Sequence, residues 1–496
     1  MCPGPIHASR EKKTLGGYTL LPFTFRRQPD GDVLVVNQGG EFHFVSRDNF
    51  EALLTDALDT GSEVFLDLKS KQFVCDGDIG LSVSMLATKL RTRKAFLRDF
   101  TTLHIVVLTA CCNCRCDYCH ASTVAPGQVA LNMSEATAGS VVEMILRGPA
   151  RRVKIEFQGG EPTINWPVLT YVVERAGNEA SKVGKTVEFV LCTNLTQVTE
   201  DQLRYLRDHR VWISTSLDGP KNLHDVHRKS RNGTSTYDLF IRNLEAARSI
   251  NGMEACSPLL TITRSNLHSL REVIEHYVRL GFPGVFLRTL NPYGFARAEW
   301  KRLAYPIEAF IEAYKEALAY VIELNVRGRF FAEYYTTLLL GRILTPFSTG
   351  FVDLQSPSGA GISGVVYDYD GTVYASDEGR MLARSGDTRF ALGNVHGHAF
   401  EEIFGGRRVR ELTYNSCVET LPGCAWCAYQ LYCGADPVRY YTEHGDFVGH
   451  RPTSDFCKKN MAILDHLFSL IRSGDEEIQD VLWSWLTNRS YAEVKL

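Results

Sequence analysis

Six short runs rich in β-branched and aromatic residues, LHIVVLT, VKIEFQ, VEFVLC, VWISTSL, LLTIT and GVFLRTL, recur between residues 101 and 290. Between them lie stretches with apolar residues at helical spacing: SEATAGSVVEMIL, PVLTYVVERAGNEASKV, TEDQLRYLRDH, YDLFIRNLEAARSI and LHSLREVIEHYVRLG. Strands separated by helices pair in parallel, because each helix carries the chain back across the sheet. Six strands fall short of the eight that close a barrel, so the alternation predicts an α/β fold, a partial (β/α)6 TIM-like barrel. In such folds the reactive groups gather at the C-terminal ends of the strands.

The flanks read differently. GYTLLPFTF, GDVLVVNQGG and EFHFVS predict strands joined by Gly and Asp turns, and RDNFEALLTDAL has helical spacing. Residues 1–99 are thus expected to form a small α+β module ending in a basic helical connector. The barrel takes 100–325, a helical linker 326–350, and a C-terminal domain 351–496. That last domain opens on VVYDYDGTVYAS, a hairpin with Asp-Gly at its turn. A chain of 496 residues exceeds one ordinary core. Its net charge of −3 gives no reason to expect nucleic acid or an anionic membrane as partner. The first 17 residues lack the apolar core of a signal peptide, and no apolar run approaches the about 18 residues of a membrane span. The expected location is the cytoplasm, where thiols stay reduced.

Fourteen cysteines in that setting read as metal or cluster ligands before disulfides. Five lie within 111–119 and five within 417–457, while Cys2, Cys75, Cys192 and Cys256 are scattered and read as ordinary small residues. In LTACCNCRCDYCHAS, which follows the first candidate strand, only Cys112, Cys116 and Cys119 have the spacing Cys-x3-Cys-x2-Cys. Three thiolates hold three irons of a [4Fe–4S] cube and leave the fourth iron open. Cys111 and Cys114 form a Cys-x2-Cys pair, so a structural zinc site is the competing reading.

Cys-x3-Cys-x-aromatic-Cys at a first strand end, with Tyr118 as the aromatic, resembles the radical S-adenosylmethionine (SAM) enzymes. There the open iron is chelated by SAM, whose one-electron cleavage yields a 5′-deoxyadenosyl radical. Later strand ends match in order. FQGGEP supplies Gln158, Gly159, Gly160, Glu161 and Pro162, the turn that meets the SAM amino group in the family. TNL follows with Asn194, and STSLDGPKNLHDVHR ends the fourth strand. By resemblance Ser216 contacts the ribose and Arg228 the SAM carboxylate, whereas His224 and Asp225 are structural.

CAWCAYQLYC, with Cys424, Cys427, Cys433 and the later Cys457, resembles the SPASM extension of radical SAM peptide-modifying enzymes. That extension usually carries seven cysteines and two auxiliary [4Fe–4S] clusters. Here the ligand slots of the first are Ser358, Ser376 and Pro437, so one auxiliary cluster is expected, with Cys417 the alternative to Cys457. Asp377 follows a vacated slot at a position that bears a proton-accepting carboxylate in related maturases, and Glu378 is its rival.

TRKAFLRDFTTLHIVVLT, DYDGTVYASDEGRMLA and LPGCAWCAYQLYCGADPV resemble the radical SAM/SPASM maturase of the His-Xaa-Ser peptide system. This implies a ribosomally made precursor peptide as substrate and a companion radical SAM protein. It also implies an electron donor such as flavodoxin or ferredoxin. The implied reaction is hydrogen abstraction from a side-chain carbon and an oxidative C–C crosslink of cyclophane type. Thioether crosslinking and the formylglycine chemistry of sulfatase maturases use the same machinery. The module at 1–99 resembles leader-recognition modules, so an edge strand there is a candidate peptide-docking site. A zinc-binding peptide carrier is the non-enzyme alternative.

Overall fold

The structure is a computed structural model that describes residues 17–495, so Cys2 and the segment through residue 16 lie outside the described residues. Two compact units are present, one of residues up to 94 together with 423–432, the other of 95–422 with 433 onward.

In the first unit, strands β1 (Phe23–Arg27), β2 (Val33–Asn37) and β3 (Phe42–Val45) form an antiparallel meander in that order. Every residue of β2 is buried. Its Val33 and Val35 join Phe50 and Leu53 of α1 (Arg47–Leu54) and Phe65 and Leu68 of α2 (Glu63–Ser70) in one core. Ser46 and Ser62 cap the two helices by accepting from Asn49 and Phe65 amides. Helix α3 (Ile79–Arg93) is held at its C-terminal half against the turn after β2. Lys89 Nζ meets Glu41 at 2.7 Å, and Arg93 Nε donates to the Gly39 carbonyl at 2.8 Å. Residues 423–432, expected with the C-terminal domain, group here instead. The reason is specific: the Tyr432 hydroxyl donates to the Gly40 carbonyl at 3.0 Å, and Arg26 stacks on Tyr429.

The second unit is built on a nine-stranded sheet. Strands β4 (Leu103–Thr109), β5 (Arg152–Gly159), β6 (Thr186–Thr193), β7 (Val211–Ser216), β8 (Cys256–Thr261) and β9 (Leu287–Arg288) lie side by side, all parallel. All six runs read from the sequence are strands, although the sixth is split. Gly284–Val285 pairs with Ala332–Glu333, and only Leu287–Arg288 reaches β8. The connecting helices start on side-chain caps, among them Ser134, Ser235 and the Thr199/Gln202 capping box.

The hairpin β10 (Gly364–Tyr367) and β11 (Thr372–Tyr374) turns at Asp370–Gly371, where Gly371 has φ +83°. It does not stand apart. β10 adds parallel to β4, with Val366 opposite Ile105, and β12 (Ala391–Asn394) completes the sheet. Helix α4 (Asp377–Ala383) then packs Ala383 near Ile105 and Val107. Those two residues pair with Glu156 and Gln158, so α4 lies on the face that carries both side chains. No helix among the described residues is long and apolar enough to cross a membrane.

Glu333 anchors the far edge. Fully buried, it accepts from the amides of Leu287 at 3.1 Å, Tyr335 at 3.2 Å and Thr336 at 2.6 Å, and from the Tyr314 hydroxyl. Glu333→Ala leaves these donors buried without an acceptor. The expected loss is at least about 2 kcal/mol of unfolding free energy, readable from denaturant unfolding.

Candidate functional site

The loop after β4 is tied down from several sides. The Cys112 amide donates to Val124 O at 2.9 Å and the Asp117 amide to His227 O at 3.0 Å. At its far end the Phe295 amide donates to Cys119 O at 2.9 Å. Gly294, at φ +55°, lets that approach happen, since a Cβ there would sit 2.1 Å from His120 O. Cys112 is buried, and Cys116 and Cys119 are half-buried. Burial pushes the Cys116 thiol up to about 12, with Arg228 opposing and Cys119 and Cys112 adding, so these groups share one space. Cys111 turns to the Gln128 carbonyl and Cys114 stands beside Cys112 and Thr196. Among the described residues no three Cys, His, Asp or Glu side chains stand at metal-gripping distance, so the three thiols share a loop without forming a cage.

The Gly-Gly-Glu-Pro turn after β5 packs directly on this loop. A Cβ at Gly159 would lie 2.2 Å from Thr109 O, and one at Gly160 would lie 2.0 Å from Cys111 O. Glu161 is completely buried and its carboxylate is fully engaged. It accepts from the Thr163 amide and hydroxyl at 3.2 and 2.7 Å, the Thr193 hydroxyl at 2.8 Å and the Asn194 amide at 2.9 Å. Burial raises its pKa against the pull of these donors. Its role is to join the ends of β5 and β6, while its own amide donates to Cys111 O at 2.8 Å. Pro162 opens the short turn of helix that follows. The Asn194 side chain reaches the Asn113 side chain at 2.8 Å, closing the third strand end onto the loop.

Arg228 forks onto Asp218, Nε to Oδ2 at 2.9 Å and Nη2 to Oδ1 at 3.4 Å, and its guanidinium lies over the Tyr118 ring. Asp218 also accepts from the Tyr118 hydroxyl and the Thr261 amide, so it gathers β7, β8 and the cysteine loop. The sequence reading passed over Asp218. Its signal was a lone acid in SLDGP at a strand end. Ser216 is half-buried on the same side as Ser214. His224 and Asp225 serve the backbone: His224 accepts from the Asp218 amide, and Asp225 from Ser235 and the Tyr237 amide.

Glu156 was also passed over, and Cys192, expected to be an ordinary small residue, stands beside it. The Cys192 thiol and the Gln158 amide both donate to Glu156 Oε1, at 3.2 and 2.5 Å. Their signal was the period-two run of Lys154, Glu156 and Gln158 on one face of a strand.

At the first turn of α4, Asp377 accepts from the Arg380 Nε and Nη2 groups, both at 2.8 Å. After burial and nearer groups, Asp377 adds to the rise of the Cys192 thiol, and Cys119 to that of Arg380. Burial pushes the neighbouring Glu378 up to about 8, with Asp353, Asp436 and Asp377 adding to the rise. The positions expected to be vacated cysteine slots have local duties. Ser376 caps α4 by accepting from the Gly379 amide at 3.2 Å, Ser358 donates its amide to the Ser416 hydroxyl, and Pro437 opens a helix.

Cys424 and Cys427 belong to the first unit, where the Cys427 amide donates to Cys424 O at 3.0 Å. Cys417, Cys433 and Cys457 belong to the second. There Asn460 donates to the Cys433 sulfur at 3.5 Å, Cys417 contacts the Thr413 carbonyl, and the Cys457 amide is capped by Ser454.

With this geometry in place the comparisons decide the domain. Residues 106–277 match the model of the radical SAM superfamily. The chain carries a radical SAM domain. An uncharacterised protein of Methanocaldococcus jannaschii is 24% identical over 189 residues, 38% of this chain and 62% of that protein. The cysteine-type anaerobic sulfatase-maturating enzyme of Clostridium perfringens is 21% identical over 302 residues, 59% of this chain and 77% of that enzyme. Among solved structures, native anSMEcpe with bound AdoMet has a TM-score of 0.62 at 18% identity, covering 74% of this chain and 97% of that one. Streptococcus suis SuiB bound to its precursor peptide SuiA gives 0.52 at 11%, covering 88% and 99%. The two structures share the fold.

This domain implies SAM and a [4Fe–4S] cluster, and the residues fit them. Three thiols face one space, and a glycine cradle admits no Cβ. The His120 Nε2 atom is buried beside Cys119 with no hydrogen-bond partner among the described residues. A guanidinium stands next to Cys116. Gly160→Ala drives a methyl into Cys111 O. The expected outcome is loss of about four irons per chain on anaerobic reconstitution, with far-UV circular dichroism unchanged.

Proposed function

We propose that the protein is a radical SAM enzyme that oxidises a side chain of a ribosomally made peptide. What supports this reading is the packing of α4, which carries Asp377 and Glu378, on the sheet face of Ile105 and Val107, in the strand that leads into the cysteine loop. When bound, SAM and its cluster supply one-electron chemistry that removes a hydrogen atom from carbon. The chain's own residues do the rest. Cys112, Cys116 and Cys119 are the ligands of the first cluster. The backbone of Gly159 and Gly160, with Asn194, Ser216 and Arg228, holds SAM, and Tyr118 orients Arg228. Gln158, Glu156 and Cys192 line the floor on which the peptide side chain rests.

A proton must leave the substrate as the oxidised product forms. Asp377 is held by a buried guanidinium, whereas Glu378 stands among carboxylates that raise its proton affinity. Glu378 is therefore the acceptor, and Asp377 positions Arg380. Glu378 accepts only when ionised, so product formation is expected to rise with pH through about 8, while 5′-deoxyadenosine formation stays flat. Glu378→Gln should lower product by about 10²-fold or more and leave deoxyadenosine in place. Asp377→Asn retaining product, with Glu378→Gln losing it, is the expected pattern in mass spectra of the peptide.

An intramolecular crosslink removes two hydrogens, and so does oxidation of Ser to formylglycine. An aldehyde-reactive hydrazide separates them, and a crosslinked product does not react. On sequence spacing alone, Cys424, Cys427, Cys433 and Cys457 are proposed to serve one auxiliary cluster, with Cys417 as alternative fourth ligand. Reconstituted protein is then expected to hold about eight irons, and Cys112→Ala/Cys116→Ala/Cys119→Ala about four. A flavodoxin or ferredoxin is the proposed electron donor, and a companion radical SAM protein the proposed partner.

The first unit is proposed to dock the precursor's leader. β3 is an outer strand of its sheet, and α3, fixed beside the preceding turn, exposes Ile79, Leu81, Val83 and Met85. A leader strand added to β3 would lay apolar side chains on α3. Leu81→Asp/Val83→Asp is expected to weaken leader binding about tenfold, measured by fluorescence anisotropy.

A further inference from the structure

The parallel strands have two unlike faces. Ile155, Phe157, Leu191 and Ile213 are buried on one of them. The residues between point the other way, and the register aligns these in rows across the sheet. One row runs Tyr374, Val366, Ile105, Glu156, Val190 and Trp212, each residue opposite the next. Its Tyr374 end is closed, because Ala383 of α4 packs there with Val366 and Val107. Toward the other end the row opens: Glu156 and Val190 are half-buried, and Trp212 is 55% exposed.

Glu156 is held in place without being neutralised. Its Oε1 atom accepts from the Gln158 side-chain amide at 2.5 Å and from the Cys192 thiol at 3.2 Å. Burial, then Glu156 itself, raise the pKa of that thiol well above its ordinary value, so it stays a donor. Both donors are neutral, and both engage the same oxygen. Among the described residues Oε2 has no hydrogen-bond partner and the carboxylate has no ion pair. Lys154, two residues earlier on the same face, meets Glu188 at 3.5 Å instead. Partial burial of a carboxylate without a cation costs free energy. Two neutral donors that fix its orientation leave Oε2 prepared for a charged group from outside the chain.

The neighbours narrow what that group is. Adjacent strands lie about 4.8 Å apart, so Trp212, two strands away, stands roughly 10 Å from Glu156 with only Val190 between them. A cation placed over Val190 reaches both, Oε2 by a charge-assisted hydrogen bond and the indole by cation–π attraction. Glu156 also lies three residues before the end of β5, about 10 Å down the strand. From a peptide backbone at the strand ends, only a long side chain with an apolar stem covers that depth. We infer that the substrate peptide inserts a lysine or arginine side chain onto this face, its cation held between Glu156 and Trp212. The two residues thereby select which peptide position is presented at the strand ends. The inference rests on the peptide-modifying reading and concerns binding alone, with no bond made or broken.

One test needs no precursor. The cluster-reconstituted full chain is labelled with fluorotryptophan, and the fluorine NMR signal of Trp212 is the one missing from Trp212→Phe. Acetyl-arginine amide and acetyl-lysine amide are expected to shift that signal saturably and to leave the other five of the six tryptophans in place. Acetyl-norleucine amide, of similar length but uncharged, is expected to leave it unmoved. Glu156→Gln keeps the size of the side chain and its acceptor for Gln158. It is expected to weaken arginine binding about tenfold, while the other five signals report an intact fold. Glu156→Lys is expected to reverse the preference and take acetyl-glutamate amide. Unchanged arginine affinity in Glu156→Gln, an equal shift by the norleucine amide, or no shift in the wild-type protein overturns the inference.

A second test uses the precursor peptide that the protein modifies. Each of its Lys and Arg residues is replaced in turn by Met. One replacement is expected to raise KM about tenfold with kcat nearly unchanged, and to add nothing in Glu156→Gln. If every such peptide keeps its KM, the inference fails while the functional reading stands. If the protein modifies no peptide, the functional reading fails, and the fluorine signal of Trp212 still decides whether this face takes a cationic side chain.

Discussion

Two buried carboxylates hold the strand ends together. Glu161 binds the ends of β5 and β6 and, through its own amide, the loop after β4. Asp218 binds the end of β7 to β8, to Arg228 and to Tyr118 of the same loop. A buried carboxylate is tolerable only when its oxygens are satisfied, and removing a partner costs about 3–5 kcal/mol. The loops at this end of the sheet are therefore locked to one another, although each lies on a different connection. The cysteine loop inherits that rigidity, which is the requirement for holding a cluster and its ligand in fixed relation.

A division of labour follows among the acids at this end. Those with full donor sets, Glu161 and Asp218, are fasteners. Asp377 is a half-fastener, bound to Arg380 and turned toward the floor of the sheet. Burial makes Glu378, Asp436 and Asp353 hold their protons more tightly; neighbouring carboxylates add to this at Glu378 and Asp436, whereas nearby cations oppose it at Asp353. Environment, not residue type, sets how tightly each of these carboxylates holds its proton.

In the C-terminal segment, the positions expected to be vacated cysteine slots carry local structural duties. Ser376 is a helix cap and Pro437 a helix start, both standard duties of those residues. The surrounding space is closed by Ala375, Met381, Phe390 and Val438, with Tyr293 among them.

The sequence by itself determined the alternating strands and helices, because hydrophobic period and helix caps are local signals. It also carried the order of strand-end motifs, since glycines pressed on backbone and clustered thiols leave marks in a single chain. What it could not carry were relations across the sheet. That β10 joins β4 in parallel, and so lays α4 over Glu156 and Cys192, depends on pairing between residues some 260 positions apart. The same holds for residues 423–432, drawn to the first unit by Tyr432 and Tyr429. It holds too for Glu378, whose raised proton affinity comes from burial and then from Asp353 and Asp436. Spacing places a residue at a strand end, but only the assembled fold decides which charges surround it there.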